Sequence, residues 1–194
     1  MDKKLIFSDI YKNRFLILSC LMLISGTIFG TSMLRFLPEE VLENLYGFLS
    51  EQTENFPNEF INRFFFPFAV LTGLYFSGSG IFGRFTAPVL VFIYGSVFGL
   101  ENSLKFMFSG ADYLMDSMIL FFSGTFFFGF SLLIMSENSI FSSKGIVSCI
   151  KGKNDGKPLY NAKKQAIKFA AFTACFIIIS AFSAFITQFL RPRI

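Results

Sequence analysis

Gly78, Gly80 and Gly83 stand at the spacing G-x-G-x-x-G, which in dinucleotide-binding enzymes lets backbone approach a pyrophosphate. That motif needs a strand before it and a soluble helix after it. Here it closes a run of uncharged residues, FFFPFAVLTGLYFSGSGIFG, and leads into Arg84. Glycines in such a setting indicate close approach of a neighbouring helix, or a kink. Other residue types that do chemistry are sparse. Histidine is absent, which removes the commonest general base and the commonest metal ligand together. Cys20, Cys149 and Cys175 are far apart with no C-x-x-C pair, so they act as small apolar fillers. Serines are plentiful, but none has a candidate base. The sequence therefore presents no catalytic, cofactor-binding or metal-ligating set, and an enzyme is not expected.

The composition points to a membrane. Charged residues are 15% of the 194 and hydrophobic ones 53%, where a soluble domain carries about 25% charged residues. Phenylalanine occurs 31 times and tryptophan never, so Phe must do the lipid-facing and packing work, with Tyr at the interfaces. Five uncharged runs stand out, over 15–34, 64–83, 85–100, 117–135 and 169–190. The expected fold is all-α: a polytopic integral membrane helical bundle of five transmembrane helices in a single membrane domain, 1–194. The first run is too long for a cleaved leader and lacks a small-x-small cleavage site. The third is short, since sixteen residues rise only about 24 Å against a hydrocarbon core of about 30 Å. It is expected to tilt, to thin the bilayer or to be re-entrant. None of the five runs contains Asp, Glu, Lys, Arg or His, which argues against ion coupling or proton relay.

Orientation follows from basic residues near the spans. Lys3, Lys4, Lys12, Arg14, Arg84 and the lysines of 136–168 fall on one side. Arg35, Arg63, Lys105, Arg191 and Arg193 fall on the other. The expected topology is N-in/C-out, in a bacterial inner membrane, with Arg84 a topology anchor at a very short turn. The basic loop 136–168 is then cytoplasmic, and attraction to anionic headgroups of the lipid bilayer explains it more simply than nucleic acid.

The outer segment 36–63 is acidic and opens as an amphipathic helix after Pro38. Val41, Leu42, Leu45, Tyr46 and Leu49 share one side with Phe48, while Glu39, Glu40 and Glu43 lie opposite. This face could cap the bundle or dock another protein. Within the spans, Gly26, Gly30, Gly73, Gly78, Gly80, Gly83, Gly95 and Gly99 are the expected helix-packing positions, because small residues let backbones meet in lipid. The Gly26-x-x-x-Gly30 pair is expected to make a tight contact within the chain rather than a homodimer face. A homo-oligomer remains open.

The stretch VLTGLYFSGSGIFGRFTAPVLVFIYGSVFG resembles the central segment of the stage II sporulation protein M family. The resemblance rests on a small-residue-rich span, a short turn, a nearby proline, and then Phe92 followed by Gly95-x-x-x-Gly99. The basic N-terminus, the G-T-I-F-G at the end of the first span and the outer LYGFLSE agree with it. It implies a non-enzymatic membrane scaffold acting in sporulation engulfment. Its implied partners are two extracytoplasmic peptidoglycan-degrading proteins, stage II sporulation proteins D and P. It brings no catalytic residues. The alternative, from a different class, is a membrane (permease-like) subunit of a transporter driven by a separate ATPase.

Overall fold

In lipid every backbone polar group must be satisfied within the segment, so long apolar runs become helices. The computed structural model describes residues 14–51, 56–120, 126–151 and 162–190. They form helices α1 (Arg14–Met33), α2 (Glu39–Glu51), α3 (Phe56–Gly78), α4 (Gly83–Leu120), α5 (Phe126–Ile150) and α6 (Ala162–Leu190), with no strand among the described residues. Four stretches, Arg14–Met33, Phe56–Gly78, Gly83–Phe108 and Lys163–Ile186, are long and apolar enough to cross a membrane. Their outer faces carry exposed Leu21, Ile24, Ile28, Phe65, Phe76, Phe85, Ile178 and Phe182. An apolar exterior of that extent is what a bilayer covers. The N-terminal lysines, the Gly/Asp/Pro stretch of the basic loop and the terminal arginines lie outside the described residues.

Three expectations need correction. The hairpin turn is 79–82, with Arg84 already in the first turn of α4. Gly78 ends one helix and Gly83 begins the next. The amides of Phe85 and Thr86 both return to the Phe82 carbonyl, at 2.8 and 3.1 Å. A Cβ on Gly83 would strike the Ser77 carbonyl oxygen, so the closeness of the turn requires glycine there.

Second, the third span is not short. The apolar part of α4 continues to Phe108, 26 residues in all, which gives a rise of about 39 Å. It carries Glu101 and Lys105 in an i,i+4 ion pair. Likewise α3 starts at Phe56 rather than Phe64 and carries Glu59, 2% exposed, paired with Arg63. Pairing lets charged residues sit in a helix whose hydropathy average stops earlier. Helix α4 breaks at Gly110, whose φ of 62° and ψ of −142° suit glycine alone.

Third, the segment from Ser136 is not a loop. Helix α5 runs unbroken from Phe126 to Ile150, and Ser136, Ser139, Ile140 and Ser143 are fully buried in the bundle. Residues 121–125 of the expected span 117–135 lie outside the described residues.

Candidate functional site

The core sits where α3, α4, α5 and α6 meet. Leu71, Leu74, Val91, Leu132, Met135, Ile140 and Phe176 are completely shielded there. Phe176 meets Phe128 edge-on at 4.7 Å, and Phe169 lies 4.7 Å from Tyr75. Two polar or backbone-lined seams flank this core, one on each side of α1.

The first seam is α1 against α4. A Cβ on Gly26 would collide with the Phe92 carbonyl oxygen, and one on Gly30 with that of Ser96. Reciprocally, Gly95 faces the Leu23 carbonyl and Gly99 that of Thr27. Two G-x-x-x-G pairs are thus interlocked, each glycine Cα resting on a carbonyl of the other helix, the geometry of Cα–H···O contacts. Hydroxyls share these carbonyls and also cross the seam, where Thr31 Oγ1 donates to the Gly99 carbonyl at 3.5 Å and Ser103 Oγ to Thr31 Oγ1 at 3.0 Å. Thr27 Oγ1 donates to the Leu23 carbonyl and Ser96 Oγ to the Phe92 carbonyl, both at 2.9 Å within their own helices. Among the other singled-out glycines, a Cβ on Gly73 would lie 3.1 Å from the Leu90 side chain, and one on Gly78 would strike Ser139 and Gln165. A Cβ on Gly80, in the turn, would meet only the Ser77 and Phe76 carbonyls, at 3.7 and 3.9 Å.

The second seam is α5 against α1, α3 and the turn. Ser19 and Ser136 share a hydroxyl–hydroxyl bond of 2.9 Å. Ser139 Oγ is placed to donate to the carbonyls of Leu74, at 2.5 Å, and of its own Met135, at 2.8 Å. Ser143 Oγ donates to the Ile81 carbonyl at 2.9 Å. Helix α6 adds Gln165, whose Nε2 donates to the Tyr75 carbonyl at 3.3 Å, and Lys168, whose Nζ donates to Asn138 Oδ1 at 2.6 Å. Gln165 is buried and its Oε1 has no partner. These hydroxyls are committed to one another or to carbonyls, so the seam is structural glue with one acceptor, Gln165 Oε1, to spare. Sequence reasoning missed it because charged and amide residues lower the local hydropathy. The recoverable signal is Ser136, Ser139 and Ser143 at i, i+3 and i+7, in phase with Leu132 and Ile140.

At the same end of the bundle cations gather. Phe15 is buried, edge-on to Phe141 at 5.6 Å. Lys144 Nζ lies 3.9 Å from the centroid of its ring and Arg14 Cζ 4.9 Å from it. Lys144 sits at the level of the 79–82 turn. Burial, then the charges of Arg14 and Arg84, push its ammonium pKa below the ordinary lysine value. Arg84 itself is exposed, with Cζ 5.9 Å from the Phe85 ring centroid.

The opposite end carries α2. Leu42 is 4% exposed and Tyr46 stacks on Phe108 of α4, with centroids 4.5 Å apart. Leu45 is half-buried and Val41 exposed, while the side chain of Leu49 lies outside those described. Part of the amphipathic face is therefore used within the chain. No family model, characterised protein or solved structure matches this chain.

Proposed function

We propose that the chain is a non-enzymatic scaffold of the bacterial cell membrane, a five-span bundle with its N-terminus inside, whose outer segment positions extracytoplasmic peptidoglycan-degrading partners. The observation that carries this is the seating of α2. Leu42 and Tyr46 fix the helix to α4, and Glu39, Glu40, Val41 and Glu43 are left exposed. A helix held beyond the apolar belt with one face free is suited to presenting a surface to another protein. The orientation is supported by charge. Arg14, Arg84, Lys144, Lys163, Lys164 and Lys168 gather at the end where α3 turns into α4, and the acidic residues of α2 lie at the other. The partners, stage II sporulation proteins D and P, and the role in engulfment rest on the sequence resemblance alone.

The test is recruitment at constant membrane level. Val41→Glu with Glu40→Lys should abolish crosslinking and co-purification of the hydrolases without disturbing the bundle. Recruitment equal to the unaltered protein would sink the docking role. Co-purification of a cytoplasmic ATPase in place of the hydrolases would favour the transporter subunit.

A further inference from the structure

We propose that a water molecule binds inside the bundle where α6 meets α3 and α5, donating to Gln165 Oε1 and accepting from the Lys168 ammonium. The glutamine is deeply set. It is 5% exposed, and its Nε2 donates to the Tyr75 carbonyl at 3.3 Å. Gly78 makes room for the amide, since a Cβ there would strike Nε2 and lie 2.9 Å from Ser139 Cα. The Tyr75 carbonyl also fixes which way round the amide lies, because a flipped amide would set two carbonyl oxygens against each other. Oε1 is thereby left as an acceptor without a donor, and an amide oxygen buried in that condition costs free energy.

The neighbouring Ser139 hydroxyl does not supply the donor, being turned to the carbonyls of Leu74 and Met135. Lys168 follows Gln165 by three residues, on the same side of α6 one turn along. The two side chains reach consecutive residues of α5: the Gln165 amide lies against Ser139, and the Lys168 ammonium donates to Asn138 Oδ1 at 2.6 Å. An ammonium has three N–H donors, and a half-buried charge needs more than one partner. A water between the two groups gives each the bond it lacks, and an internal water needs two to four such polar partners. Thr173 and Ser180, farther along α6, also lack partners. A hydroxyl, however, can turn to the carbonyl four residues back, which an amide oxygen cannot do. The wet region ends at the aromatic rings beyond it, where Phe169 lies 4.7 Å from Tyr75 and Phe176 is fully shielded.

The full-length chain in detergent micelles is exposed to hydroxyl radicals generated by X-rays in heavy-oxygen water, and side-chain labelling is read by mass spectrometry. A water held inside the bundle labels the ring beside it, while detergent screens rings that face outward. Phe169, one turn from Gln165, should be labelled several-fold more than Phe76, which is 67% exposed on the outer surface. Gln165→Met should bring Phe169 down to the level of Phe76, whereas Gln165→Glu, which keeps an acceptor oxygen, should not. Lys168→Met should lower the labelling of Phe169, and Ser180→Ala should leave it as it is. Phe169 labelled no more than Phe76 in the unaltered chain overturns the proposal, whatever the variants do, because Lys168 then meets Oε1 directly. Full labelling of Phe169 in Gln165→Met or in Lys168→Met also overturns it, since the water is then held by other groups.

Discussion

Helix α1 is gripped on two sides by opposite means. Toward α4 it offers Gly26 and Gly30, where the contact is backbone on backbone, with the Thr31 hydroxyl reaching Gly99 and Ser103 beside them. Toward α5 it offers Ser19, and the contact is a hydroxyl bond in a row that continues through Ser139 and Ser143. Close backbone fit dominates the first seam, so any atom added at its glycines is an error. Paired polarity holds the second, so removing an atom leaves a small cost. In hydrocarbon both solve one problem, since Leu against Leu gains little over Leu against lipid.

The sharpest way to break this contrast is bulk at the glycine seam. Gly30→Ile should force α1 off α4 and cost about 3 kcal/mol or more, read as lost thermal stability in detergent. A loss under about 1 kcal/mol would mean the helices are not in backbone contact. Next is Tyr46→Ala, Phe108→Ala and the double variant. Their coupling should be about 1 kcal/mol, and zero coupling would detach α2 from α4. Ser139→Ala should cost about 1 kcal/mol, while Ser139→Val, which restores volume but not the bond, should cost at least as much. The smallest effect expected is the coupling of Ser19→Ala with Ser136→Ala, about 0.6 kcal/mol, the usual size for interhelical bonds in a membrane. Were the serine seam to lose more than the glycine seam, the contrast would be inverted.

The glycine seam was legible from sequence because its signal is a spacing, Gly26 to Gly30 and Gly95 to Gly99, that tertiary context did not disturb. Helicity and apolar spans were legible for the same reason. The serine seam was not. Glu137, Asn138 and Lys144 lower the local hydropathy, and an average over a window cannot tell that their neighbours Ser136, Ser139 and Ser143 turn inward together. The sequence points to Arg84 for the hairpin turn because Ser77 to Phe82 contains no charge to mark it. The early start of α3 was hidden by Glu59 and Arg63, which neutralise one another only once both are on a helix. The basic end could be guessed as a tendency of one side of the chain. That Lys144 and Arg14 share a single ring could not, because Phe15 and Lys144 are distant in sequence and meet only through packing.

The hydroxyl-bearing face of α5 also bears on how the chain is made. Ser136, Ser139 and Ser143 find their hydrogen-bond partners on α1, α3 and the turn between α3 and α4, all of which leave the ribosome earlier. Released alone toward the lipid, that stretch would have little reason to leave the translocation channel. In the five-span arrangement proposed above, its entry into the bilayer is therefore conditional on earlier helices waiting nearby, and synthesis order becomes part of the folding code.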